Sequence, residues 1–227
     1  MIVWICSFPR SGRKWLRQIL GDNFRIEEDC IFNVNRSSNM DFNLLRNDPE
    51  LNFCMTHLRA HELDINKGDK VLFPVRHPFN VLYSSLNWLK KKHGLDVSEK
   101  DLLLSDSSIF CQETQWNYRD YMNSWSPILL NSRLQVLILK YEDRSRVFKK
   151  EINKISNFLN VEPKNFNRLE LNTVISIAQE AKEELYTRYY QYSLGEKNKI
   201  DELSEDFKRK FNLQMRDYYI LFNYNSV

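Results

Sequence analysis

The stretch "MIVWICSFPRSGRKWLRQIL", residues 1–20, decides the fold. Ile2–Cys6 is an unbroken apolar run of the length and kind that forms a strand buried on both faces. Ser7–Lys14 follows, with Pro9, a single glycine at Gly12, and cations at Arg10, Arg13 and Lys14. A helical pattern begins by Trp15. Strand, glycine turn and helix in this order make the first βα unit of a parallel sheet.

The charges at that turn are informative. A helix N-terminus exposes unpaired amides and the positive end of the helix dipole. Each cation placed there opposes the dipole at a cost of roughly 0.3–1 kcal/mol. Three cations in five residues therefore call for a compensating anion, and a glycine turn opening a helix makes a cradle for one. Ser11 reads as a helix cap or a donor to a phosphate oxygen. The nucleotide-binding pattern G-x-x-x-x-G-K-[ST] is absent: the loop has one glycine, and Trp15 follows Lys14.

Working outward, the βα rhythm repeats. Val71–Val75 and Leu134–Leu139 read as buried strands, and Leu51–Met55 as a weaker one. Helices are predicted at about Ser11–Asn23, Pro78–Lys92, Ser107–Asn131, Arg146–Leu159, Val174–Arg188 and Ser204–Tyr218. Pro78 suits a first helical position, and Gly94 stops a helix whose last turn is basic. The stretch from Arg25 to Pro49 is polar and weakly periodic, and reads as a long loop with a short helix. Tyr186–Ile200 also reads as a loop. These elements predict a three-layer α/β protein with a central, mainly parallel sheet flanked by helices, in one domain over 1–227.

Bulk properties narrow the function. The chain has 227 residues, 42% of them hydrophobic and 28% charged, as in ordinary globular proteins. A net charge of +3 is too small for bulk nucleic-acid binding, so any anion site is local. The four cysteines, Cys6, Cys30, Cys54 and Cys111, show neither metal spacing nor a disulfide framework. No metal is expected, and a reducing, cytoplasmic setting fits. No signal peptide is evident, and no run approaches the roughly 20 apolar residues that span a bilayer.

Four segments, taken in order, resemble one family. "SFPRSGRKWL" resembles the 5′-phosphosulfate loop of the sulfotransferases, Y/F-P-K/R-S-G-x-T-W-L. "KVLFPVRHPFNVLYSSLNW" is similar to the 3′-phosphate motif, a strand ending in Arg76 with Ser84 eight residues later. "FCMTHL" resembles the K-T-H segment that carries the catalytic base, with Met55 in place of its Lys. "LILKYEDRSRVFKKEINKISNFLNV" looks like the strand, Y-E-D and helix of the same family. The closing loop R-K-G-x-x-G-D-W-K-N has only a degenerate counterpart in "YYQYSLGEKNKI".

The resemblance implies a P-loop NTPase-like fold and a metal-free reaction. The donor would be 3′-phosphoadenosine-5′-phosphosulfate (PAPS), and adenosine 3′,5′-bisphosphate (PAP) the product. It assigns the donor to Arg10, Ser11, Gly12, Arg13, Lys14 and Trp15, with the amides of Ser11–Lys14 on the 5′-phosphate. Lys14 replaces the usual Thr. Arg76 and Ser84 would hold the 3′-phosphate, Tyr141 would lie near the adenine, and Lys197 or Arg188 would stand in the closing loop. Arg10 would also stabilise the leaving phosphate. His57 would be the base toward a hydroxyl-bearing acceptor, a small molecule, glycan or glycolipid, with His61 as its rival. A P-loop-type kinase and an inactive relative of the sulfotransferases are the alternatives.

Overall fold

A computed structural model of the chain describes residues 1–26, 28–94, 117–130, 133–144, 148–163 and 204–226. The elements are β1 (Ile2–Cys6), α1 (Arg13–Phe24), β2 (Ile31–Val34), α2 (Phe42–Asn47), β3 (Asn52–Thr56), β4 (Lys70–Val75), α3 (Pro78–His93), α4 (Tyr118–Leu129), β5 (Gln135–Lys140), α5 (Phe148–Leu159) and α6 (Glu205–Phe222). Short 3-10 turns lie at Ala60–Glu62 and Tyr141–Arg144. The five strands form one parallel sheet in the order β2-β3-β1-β4-β5.

Strand periodicity builds the layers. Successive side chains on a strand point to opposite faces. Val3 and Ile5 enter a core with Leu16, Ile19 and Leu20 of α1 and Ile155 and Leu159 of α5. Trp4 and Cys6 enter the opposite core with Phe79 of α3, Tyr121 and Trp125 of α4, and Phe211 and Tyr218 of α6. Val3, Trp4 and Ile5 of β1 pair with strands on both sides, and all five residues of the strand are buried between two helical layers. This three-layer α/β architecture is the one expected from the sequence.

Topology then positions the site. From β1 the chain runs through α1 to one side of the sheet, and later crosses to β4 and β5 on the other side. The carboxyl end of β1 is thus where the winding reverses, and open α/β sheets bind ligands in the crevice made there.

The stretch from Arg25 to Pro49 departs from expectation. It holds a strand, β2, as well as the short helix α2. β2 has four residues in an inside-outside-outside-inside burial pattern and, among the described residues, pairs with β3 alone. A four-residue edge strand with Phe32 40% exposed carries too little periodic signal to stand out. The helix predicted over 174–188 lies outside the described residues.

Candidate active site

The loop from Ser7 to Gly12 is pinned at its start. Phe8 is wholly buried, with its ring 5.1 Å from Tyr118 and 5.5 Å from Tyr121. The Ser11 amide closes a turn onto the Phe8 carbonyl at 3.1 Å. Arg10 and Gly12 both take positive φ, 69° and 105°. For Arg10 that conformation costs about 1–2 kcal/mol, the kind of strain that clusters at functional sites.

Two expectations for this loop are corrected. Ser11 is not the helix cap: Gly12 holds that position and no side chain caps α1. The Ser11 amide is also engaged inside the loop, so the amides suited to an anion are those that the first turn of α1 presents at its N-terminus. The Ser11 hydroxyl is fully buried and bonds none of the described residues, and neither does that of Ser7. Around them stand Arg10 and Arg13, both half-buried, and exposed Lys14. Buried orphan hydroxyls, open amides and cations are the donor set a phosphate-like group requires.

Two residues at the carboxyl ends of different strands back the loop, with Trp15 of α1 beside them. Arg76, 8% exposed at the carboxyl end of β4, donates from Nη1 to the Arg10 carbonyl at 3.3 Å. Its guanidinium lies 4.7 Å from the Tyr141 ring centroid. Tyr141 meets Trp15 edge-on at 5.9 Å. The Tyr141 ring also packs on Gly12 so closely that a Cβ there would stand 2.7 Å from its Cδ2. Gly12 is therefore required twice, by its φ and by Tyr141.

His57 follows β3, the other neighbour of β1. The Ser7 amide donates to the Thr56 carbonyl at 3.3 Å, and the His57 Nδ1–H donates to the Ser7 carbonyl at 2.5 Å. A carbonyl only accepts, so this bond fixes the proton on Nδ1 and leaves the lone pair on Nε2. Burial, then the nearby charge of Arg13 and to a lesser degree Arg10, push the imidazole down to about 4 against the pull of the Ser7 bond. The His57 imidazole is thus neutral at ordinary pH. His61 is exposed on the Ala60–Glu62 turn.

The remaining expected residues separate from this cluster. Ser84 is half-buried as the seventh residue of α3 and shares no hydrogen bond with the loop residues. Its neighbour Ser85 turns inward onto the Val81 carbonyl at 2.9 Å. Lys197 and Arg188 lie outside the described residues.

One participant was missed in the sequence. Glu142 reads there as an acid favouring the helix that follows. In the structure its carboxylate serves the start of α3: Oε1 accepts from the His77 amide at 2.9 Å and Asn80 Nδ2 at 3.3 Å, and Oε2 accepts from the Tyr224 hydroxyl at 2.8 Å. Local sequence carries no sign of bonds that span 62 to 82 residues.

With this geometry in view, the comparison with known proteins is decisive on family: the sulfotransferase domain matches residues 2–219. The chain belongs to the sulfotransferase domain family. Seventy-three chains of solved structures also match. Mouse sulfotransferase SULT7A1 complexed with PAP has 22% sequence identity and a TM-score of 0.53, covering 77% of this chain and 62% of that one. Retinol dehydratase in complex with androsterone and inactive cofactor PAP has 17% identity and a TM-score of 0.51, covering 76% and 62%. Retinol dehydratase in a complex with retinol and PAP has 16% identity and a TM-score of 0.58, covering 96% and 81%. The chain thus spans 62% of the length of the first two. At these identities the likeness carries the fold. No curated protein matches the sequence. Among the described residues of this sulfotransferase domain, no helix is long and apolar enough to cross a membrane.

Proposed function

We propose that this sulfotransferase domain moves a sulfuryl group from PAPS to the hydroxyl of an acceptor. The observation that carries the proposal is the pairing of a cationic, amide-presenting loop with a tautomer-fixed neutral imidazole across one Ser7 carbonyl. The donor, when bound, supplies the activated sulfuryl group. The chain's own residues bind, orient and deprotonate.

The first-turn amides of α1, the Ser11 hydroxyl, Arg13 and Lys14 would hold the 5′-phosphate. Lys14 brings a charge where the family has a hydroxyl. Arg10 would offset charge on the bridging oxygen, an interaction worth about 10²–10³ in rate at comparable sites. Arg76 and Ser84 would hold the 3′-phosphate, with Lys197 closing over it, and Trp15 and Tyr141 would flank the nucleotide. His57 Nε2 would accept the hydroxyl proton, since it holds the lone pair and stays unprotonated near neutral pH. The acceptor is a hydroxyl-bearing small molecule, glycan or glycolipid. Residues 1–227 would act as one domain in the cytoplasm, a setting that fits cysteines spaced for neither a disulfide framework nor a metal.

The test is calorimetric titration of adenosine 3′,5′-bisphosphate in parallel with ATP plus Mg²⁺. Micromolar binding of the bisphosphate, weakened at least about tenfold in Arg76→Ala, is expected from loss of a charge-assisted clamp. Binding of ATP that depends on Mg²⁺, without bisphosphate binding, overturns the proposal in favour of a kinase. Bisphosphate binding with no sulfuryl transfer to any hydroxyl acceptor identifies an inactive relative.

A further inference from the structure

We infer that Glu142, held by Tyr224, is a positioning residue that sets Arg76 and Tyr141 in register for the donor's 3′-phosphate side. The inference rests on the donor reading above and names residues that reading leaves out.

The argument starts from two chain junctions. Arg76 and His77 join β4 to α3, and Tyr141 and Glu142 open the 3-10 turn that follows β5. Each junction supplies one donor-site residue and one residue that faces away from the loop. Glu142 ties the two together by accepting the His77 amide and the Asn80 side chain. His77 is the N-cap of α3, since its carbonyl accepts from the Val81 amide at 3.0 Å. A carboxylate at that helix N-terminus both fills an orphan donor and suits the dipole. Arg76 and Tyr141 are thereby fixed one residue away on each side, at the 4.7 Å spacing of guanidinium over ring.

Glu142 in turn is held by the segment that follows α6. Asn223 ends that helix in the left-handed conformation and turns the chain back. Tyr224 then donates its hydroxyl to Glu142 Oε2 at 2.8 Å. Lys140 donates to the Asn223 carbonyl at 3.0 Å and sits 4.9 Å from the Tyr224 ring. The Tyr224 ring lies edge-on to His77 at 5.2 Å. His77 Nδ1 accepts from the Phe79 amide at 3.3 Å, so Nε2 carries the proton and donates to the Asn225 carbonyl at 2.8 Å. Residues 223–225 thus lock the junctions of β4 and β5 from behind, and none of them reaches the loop at Gly12.

A consequence follows for anion binding. The N-terminus of α3 is already matched by the Glu142 carboxylate, so a phosphate beside Arg76 gains little from that dipole. Its binding depends on how well Arg76 is aimed, which is what the Glu142–Tyr224 pair controls.

The test compares adenosine 3′,5′-bisphosphate with adenosine 5′-monophosphate by calorimetry, in the wild type, Glu142→Gln and Tyr224→Phe. Thermal melts and circular dichroism on the same samples report folding. The ratio of the two affinities isolates the 3′-phosphate contribution, which a purely structural role would leave untouched. The expected result is that Glu142→Gln shrinks the ratio five- to tenfold and Tyr224→Phe about threefold, in protein that remains folded. Both near-isosteric variants keep the ring or side-chain volume. A wild-type preference for the bisphosphate that persists unchanged in both variants overturns the positioning role and leaves the donor reading intact. A wild-type protein with no preference for the bisphosphate overturns the donor reading and this inference with it.

Discussion

Acidification should unfold this protein partly through one side chain, and the size of the effect follows from the geometry of His57. In the fold its imidazole titrates at about 4, first because it is buried and then because Arg13 and Arg10 stand nearby. In the unfolded chain it returns to about 6.5. As pH falls through that interval the unfolded chain takes up a proton that the folded chain refuses, so stability is lost on acidification. Between about pH 7 and pH 5 the loss from this group comes to about 2 kcal/mol, rising to about 3 by pH 4. The assay is urea denaturation at both pH values in wild type and His57→Asn, whose amide can still donate to the Ser7 carbonyl. The other three histidines are common to both proteins and cancel in the difference. The expected double difference is about 2 kcal/mol, with the wild type the more acid-sensitive. Equal acid sensitivity in the two proteins would refute the claim that the fold holds His57 neutral, and with it the reason to prefer His57 as base.

Two further outcomes probe the scaffold on either side of the site. Gly12→Ala should cost about 2–3 kcal/mol, from the left-handed φ and the displaced Tyr141 ring; chemical denaturation measures it, and adding Tyr141→Ala should return only the part due to the ring. Asp69→Asn should cost about 3–5 kcal/mol, because Asp69 accepts from Arg46, the Trp4 indole and the Ile2 and Asn66 amides at the amino edge of the sheet. Bisphosphate affinity in the surviving folded fraction should not change, since β4 separates Asp69 from Arg76 by its whole length.

The β1–α1 unit was legible because its signals are local: five apolar residues, a glycine and a helical run within 24 positions. β3, β4 and β5 were read to within a residue at each end for the same reason. β2 was not, because an edge strand that pairs on one side and half faces solvent resembles a polar loop. Within the site, Arg10, His57, Arg76 and Tyr141 were themselves named from sequence. Their couplings were not, because those run through backbone atoms: the Ser7 carbonyl to His57, the Arg10 carbonyl to Arg76, the Phe8 carbonyl to the Ser11 amide. Any residue type supplies a carbonyl, so sequence leaves no mark of where one is used. Ser11 shows the converse. Its type suggested a cap, but the loop's positive-φ path gave that position to Gly12 and left the hydroxyl buried.

The place of β1 in the sheet has a consequence for the order in which the chain matures. Ile2 pairs with Asn52, and Val3 with Lys70. The central strand is therefore made before both of its neighbours, which follow after about 50 and 67 further residues. At ribosomal speeds of about 5–20 residues per second, "IVWIC" waits several seconds with both edges unpaired and the face opposite α1 uncovered. During that interval it is a short, uncharged, β-prone segment of the kind that self-associates or recruits chaperones. Yields of this protein in a foreign host should therefore respond to slower translation or added chaperone capacity more than to any change at its finished surface.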